Sequence, residues 1–126
     1  MNRDHRLAAL AVLACTATAQ AEDDPAQGQR LFESRCIACH SIDSHRVGPA
    51  LGGVFGRRAG TAPGYDYSTA VQGAGLVWTA ERLERWLADP EALIPGQRMG
   101  YSVSDPRDRA DLIAYLRATT SAIRRP

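Results

Sequence analysis

Apolar residues along this chain gather into three short stretches with helical spacing, and long polar segments separate them. The first stretch begins at Pro25 and sets Gly28, Leu31, Phe32, Arg35 and Cys36 at i, i+3, i+4, i+7 and i+8, one face of a helix. The second follows Thr79, a residue suited to cap a helix, and brings Leu83, Trp86 and Leu87 together before Pro90 halts it. Arg82 stands where a full capping box would carry glutamate. The third opens at Ser104 or Asp105, with Pro106 at the permitted first position and Leu112, Tyr115 and Leu116 as its buried stripe. Arg117, Arg124 and Arg125 suit its C-terminal end. From Ser41 to Tyr67 the chain is dense in glycine and carries Pro49 and Pro63, so it reads as loop throughout. Short helical turns are expected near Ser68 to Gln72 and Glu91 to Ile94, the latter broken by Pro95-Gly96. No segment alternates well enough to be a strand. The pattern predicts an all-α fold of about three to five helices with long loops.

Residues 1–21 follow a different pattern. A charged start, Met1 to Arg6, precedes the apolar run Leu7 to Ala14 and then Ala19-Gln20-Ala21, the layout of a secretory signal peptide cleaved after Ala21. The run is too short to span a bilayer, so no retained anchor and no stable membrane insertion are expected. Cys15, after Val12-Leu13-Ala14, also resembles a lipoprotein box, but Val and Leu match it poorly. What remains, residues 22–126, is one small domain.

Cleavage would remove Arg3, Arg6 and Asp4, leaving 13 arginines against 13 acidic residues and no lysine. That balance provides no broad basic field for nucleic acid or an anionic membrane. A domain of this size with 6% aromatic residues buries a modest core and often needs a staple.

One candidate for that staple is Cys36-Ile37-Ala38-Cys39-His40, spelling C-x-x-C-H. Two thiols at i and i+3 lie on one face of a helical turn, the separation needed to add across the two vinyl groups of a haem. The adjacent imidazole then lies under the porphyrin, where it can ligate iron. A disulfide between the two cysteines, or half of a zinc site, would use the same residues. Zinc, however, needs a second pair of ligands, and no other Cys/His pair exists in residues 22–126.

Iron held by His40 has a sixth position to fill. His45 is too close in sequence to reach the opposite face of a porphyrin. Met99, behind the break at Pro95-Gly96, is the one methionine after the signal segment. Its thioether is a soft ligand that favours ferrous iron; the plain alternative is a methionine filling a gap in the core. Trp78 and Trp86 read as core residues, and His45 as a solvated loop residue. Arg57 is a candidate partner for a haem propionate, which needs a charged or hydrogen-bonding neighbour when buried.

From Gly28 to Leu116 the chain resembles class I cytochrome c, in its mitochondrial and bacterial cytochrome c2-like branch. The segments that carry the resemblance are Gly28-x-x-Leu31-Phe32, Cys36-x-x-Cys39-His40, Gly48-Pro49-x-Leu51-x-Gly53 and Phe55-Gly56-Arg57. They continue with Ala62-Pro63-Gly64-Tyr65-x-Tyr67, Trp78, Ile94-Pro95-Gly96-x-x-Met99 and Ala110 to Leu116. Most are weak alone; in this order they are specific.

The resemblance implies one covalent haem c, with thioethers at Cys36 and Cys39 and axial ligation by His40 and Met99. It implies that the Pro49 carbonyl accepts the other N–H of His40 and that Arg57, Tyr67 and Trp78 bond haem propionates. Gly28 and Phe32 would cross Leu112 and Tyr115. Several positions depart from the pattern: Trp86 replaces a tyrosine that donates to the methionine sulfur, Gln97 a threonine, Val71 an asparagine and Tyr101 a phenylalanine. The basic ring around the haem edge is reduced to Arg30, Arg35 and Arg98, with Glu91 and Ala92 at two normally basic positions.

The function implied is that of a periplasmic monohaem electron carrier, not an enzyme, and a monomer. Its partners would be a quinol-oxidising complex or dehydrogenase on one side. On the other would be a terminal oxidase, reductase, peroxidase or photosynthetic reaction centre. A haem protein with a labile sixth ligand, or a dedicated electron-transfer subunit of a larger oxidoreductase, are the alternatives.

Overall fold

A computed structural model describes residues 22–126; residues 1–21, the expected signal segment with Cys15, lie outside the described residues. Five helices run in order: α1 (Pro25–Arg35), α2 (Thr69–Gln72), α3 (Ala80–Ala88), α4 (Pro90–Leu93) and α5 (Pro106–Ile123). No strand occurs among the described residues; one isolated antiparallel bridge joins Arg58 to Val77. The all-α expectation holds, with helices close to where spacing placed them.

Each helix starts on a side chain that satisfies otherwise unpaired N–H groups. Asp24 accepts from Ala26 and Gln27, Ser68 from Val71, and Thr79 from Arg82. Asp89 accepts from Ala92 and Asp105 from Arg107, so Asp105 rather than Ser104 caps the last helix. Pro25, Pro90 and Pro106 each occupy the first turn, where a missing N–H costs nothing. Pro90 both stops α3 and starts α4, one residue earlier than spacing predicted. Asp89 between them is extended, as a residue before proline prefers.

The main tertiary contact is the crossing of α1 over α5. Gly28 makes it possible. A Cβ at that position would lie 1.9 Å from the Asp111 carbonyl oxygen and 2.8 Å from the Tyr115 Cβ. One turn further on, Phe32 and Tyr115 stack obliquely with ring centroids 5.5 Å apart. Leu31, Phe32, Val103 and Leu112 form the core on this side. Asp111 is buried beside the crossing. Its Oδ1 accepts the Asp24 N–H at 2.8 Å and lies 3.3 Å from the Arg107 guanidinium. Hydrophobic spacing does not reveal this tie, because aspartate on a buried face looks like an error until its partners are known.

A second core cluster, Val54, Ala59, Trp78, Leu83, Ile94, Ile113 and Leu116, joins α3 and α5 to the loops. Trp86 packs edge-on against Trp78 at 5.3 Å, and Val71 lies half-buried beside the same cluster. Both tryptophans are thus core residues.

Gly28→Ala should lower unfolding stability by about 3 kcal/mol, because the Asp111 backbone cannot yield as a flexible side chain would. Guanidinium unfolding of the purified protein checks this. A loss below about 1 kcal/mol would mean the two helices can separate at little cost.

Candidate functional site

The C-x-x-C-H segment begins where α1 ends. Cys36 is the C-cap of α1, its N–H donating to the Phe32 carbonyl, so the crossing helix pins the first thiol. The next turn closes on Cys36 as well: the N–H groups of Cys39 and His40 donate to its carbonyl at 3.1 and 2.8 Å. Cys36 is half-buried and Cys39 exposed; both thiols are free, so the disulfide alternative is not formed. Burial pushes the Cys36 thiol up, against a lowering from Arg35 and ahead of a smaller raise from Cys39. Among the described residues, no group of three or more His, Cys, Asp and Glu side chains could hold a metal such as zinc.

His40 is fixed from two sides. Its Nδ1 lies 2.8 Å from the Pro49 carbonyl oxygen. A carbonyl can only accept, so Nδ1 carries the proton and Nε2 keeps its lone pair. Burial holds the imidazole below its usual pKa, opposed by the Pro49 bond, and the neutral ring is the form that ligates metals. Gly48 closes on the ring as well: a Cβ there would lie 2.3 Å from His40 Cε1. The Gly48 N–H also donates to the Cys39 carbonyl at 2.7 Å, binding the loop to the turn.

Chemically this set fits a covalent haem: two free thiols three residues apart, and a neutral imidazole whose second nitrogen is already oriented. A thioether is available on a different segment, at Met99. Met99 is half-buried and lines a cavity of about 410 Å³ with Gln97, Tyr101 and Pro90. A larger cleft of about 740 Å³ between α3 and α5 includes none of the candidate residues, so size does not mark the site.

The remaining candidates lie on the loop between α1 and α2 and just beyond α2. Arg57 is half-buried; its guanidinium donates to the Gly52 carbonyl at 3.1 Å and reaches that of Ala50 at 3.4 Å. Its backbone bonds Trp78, whose N–H donates to the Arg57 carbonyl at 2.9 Å. Tyr67 is buried, with its hydroxyl accepting the Ala62 N–H at 3.3 Å. These three therefore already have protein contacts, and only side-chain atoms left over can address a propionate.

His45 is the solvent-exposed loop residue that the sequence suggests, with a structural part to play as well. Both ring nitrogens are engaged: Nδ1 accepts the Ala50 N–H at 2.9 Å and Nε2 donates to the Pro63 carbonyl at 2.7 Å. Its ring also packs against Tyr65 at 5.4 Å, and Tyr65 meets Tyr67 at 4.8 Å. The Tyr65 hydroxyl donates to the Val47 carbonyl at 2.6 Å. The residue staples the loop while facing solvent. At the far end, Arg98 donates to the Asp66 carbonyl at 2.9 Å, which ties the Met99 segment to the same loop.

The sequence model of the cytochrome c family matches residues 25–120, a span from the first residue of α1 through most of α5 that holds every candidate site residue. Cytochrome c2 of Rhodopila globiformis is 46% identical over 96 residues, covering 74% of this chain and 91% of that protein. Cytochrome c2 of Blastochloris viridis is 41% identical over 112 residues, covering 86% and 87%. Among solved structures, cytochrome cH from Methylobacterium extorquens superposes with a TM-score of 0.72 at 43% identity, covering 75% of this chain and 98% of that one. The chain belongs to the cytochrome c family, as a c2-like class I member that binds one covalent haem c.

Proposed function

We propose that this protein is a periplasmic one-electron carrier of a respiratory chain, exported with residues 1–21 removed after Ala21. Electrons would come from a quinol-oxidising complex or dehydrogenase and pass to a terminal oxidase, reductase, peroxidase or reaction centre. The observation that carries the reading is the His40–Pro49 hydrogen bond beside two free thiols. It orients a neutral imidazole for permanent ligation instead of leaving it to titrate as an acid or base.

In this reading, haem supplies a one-electron iron couple when bound, and the chain tunes it. Cys36 and Cys39 would anchor the macrocycle, and His40 and Met99 would ligate its iron. Pro49 holds the His40 tautomer and strengthens its basicity, as partners behind a ligand generally do. Met99, a soft donor, favours the ferrous state. Arg57, Tyr67 and Trp78 serve the propionates with the donor capacity their backbone contacts leave.

The basic ring is thin and partly offset: Arg35 is ion-paired to Asp108 at 3.0 Å, whereas Arg98, bonded to the Asp66 carbonyl, and Arg30, bonded to the Gln27 side chain, keep their charge. Ile37, next to the attachment cysteine Cys36, is 45% exposed, and Val47 is 75% exposed on the loop bonded to that turn. Docking in this reading leans on apolar contact, with charge steering secondary.

Two measurements test the reading. Optical spectra of the protein expressed in a periplasm, oxidised and reduced, should show low-spin bands, a weak far-red ferric band and indifference to carbon monoxide. Ready carbon monoxide binding would mean Met99 does not hold the sixth position, and the ligand-binding alternative would take over. The electron-transfer rate with the native partner should fall less than about threefold between roughly 20 and 200 mM salt. A fall of an order of magnitude would mean charge, not apolar contact, guides docking.

A further inference from the structure

Glu91 stands where the resemblance expects a basic side chain, and the structure uses it internally. It is the second residue of α4, and its two carboxylate oxygens are divided between the next turn's two donors. Oε1 accepts the Gly96 N–H at 2.9 Å, and Oε2 accepts from Gln97 Nε2 at 3.2 Å. A carboxylate offers only acceptors, so the Gln97 amide can face it only with its NH2. This orientation leaves Gln97 Oε1 buried with no hydrogen-bond partner. Glu91 and Gly96 are exposed, and it is the two-pronged geometry of the carboxylate that ties the turn to α4.

The clamp has a firm base. Asp89 caps α4 through the Ala92 N–H at 3.1 Å, and Pro90 is buried. The far end of the Met99 strap is also secured. Val103, 1% exposed, donates its N–H to the Leu87 carbonyl at 2.7 Å. Arg109, paired to Glu84 at 2.6 Å, donates to the carbonyls of Val103 and Ser104 at 2.7 and 2.9 Å. Met99 thus lies between two anchors, three residues beyond Gly96. Trp86 meanwhile packs on Trp78 at the position where the resemblance expects a tyrosine donating to the sulfur.

We propose that Glu91 is a positioning residue for the axial methionine: by fastening the 94–97 turn to α4 it restrains Met99 against release. The restraint comes through the backbone turn instead of through a donor to the sulfur. This inference rests on the reading of Met99 as the axial ligand. A glutamate here also removes positive charge from the partner-facing side, a cost consistent with an internal duty.

The test is imidazole binding to the ferric holoprotein, followed by the far-red band, in the wild type and in E91A, E91Q and M99A. Hydrogen exchange at the Gly96 amide is measured alongside in the wild type and both Glu91 variants. E91A should bind imidazole about tenfold tighter, weaken the far-red band and speed Gly96 exchange about tenfold, the size of one charge-assisted hydrogen bond. E91Q should stay within about twofold of wild type, because its amide oxygen still accepts from Gly96 and Gln97 can turn its oxygen to the new NH2. E91A matching wild type in imidazole affinity and exchange would overturn the proposal. So would E91Q behaving as E91A, which would make charge rather than the hydrogen bond the cause. If M99A leaves the spectrum and imidazole affinity of wild type unchanged, the ligand reading fails and the proposal with it. The M99A arm separates that failure from failure of the clamp alone.

Discussion

With hydrogen alone at position 28, α1 lies against the Asp111 carbonyl of α5, backbone to backbone. Methyl-sized bulk there would push the helices apart, and the consequences would run along α1 to its end. Cys36 caps that helix, and Cys39 and His40 bond back to the Cys36 carbonyl, so the C-x-x-C-H turn inherits its place from the crossing. Asp111 reinforces the contact electrostatically. Its buried carboxylate receives the Asp24 N–H and the Arg107 guanidinium, linking the segment before α1 to the second turn of the last helix. A buried carboxylate without those donors would destabilise the fold; with them it locks the register of the two helices.

From the C-x-x-C-H turn outward, order passes through polar ties rather than through regular structure. The loop of residues 41–67 has no repeating backbone ladder, so its N–H and C=O groups must find individual partners. Gly48 bonds the Cys39 carbonyl, Pro49 meets His40, His45 bridges Ala50 and Pro63, and Tyr65 reaches Val47. Arg98 carries the chain of contacts to the Met99 strap through Asp66. Two candidate ligands far apart in sequence are thereby connected by consecutive short-range contacts. Such a framework limits how far a bound group's surroundings must reorganise when its charge changes, which suits electron transfer.

The helices were legible because their signals are local. A capping residue, a proline in the first turn and apolar positions three and four apart locate α1, α3 and α5 without knowledge of anything distant. The C-x-x-C-H pentad stands out for the same reason: its candidate chemistry lies in five consecutive residues. His45, Asp111 and Glu91 do not. Each carries a polar side chain whose partners lie elsewhere in the loops or on another helix, and no periodicity records those pairings. Alone, a loop histidine or a surface glutamate looks solvated, and an aspartate on a buried stripe looks misplaced. Arg57 reads from sequence as a propionate partner; the structure engages its guanidinium with the Gly52 and Ala50 carbonyls, contacts that no sequence pattern records.

The absence of lysine has a structural counterpart. Guanidinium groups repeatedly end on backbone carbonyls: Arg46 on Ile37, Arg82 on Val77, Arg98 on Asp66, Arg57 on Gly52, and Arg109 on both Val103 and Ser104. A planar fork with five donors can hold two carbonyls at once, or a carbonyl and a carboxylate, as Arg109 does; an ammonium is a compact, strongly hydrated charge with less directional grip. In a domain whose loops outweigh its helices in shaping the site, that donor geometry fastens segments no ladder can hold. A carbonyl bond leaves the guanidinium charge intact, so the absence of a broad attractive field has a separate cause: 13 acidic residues offset the 13 arginines of residues 22–126.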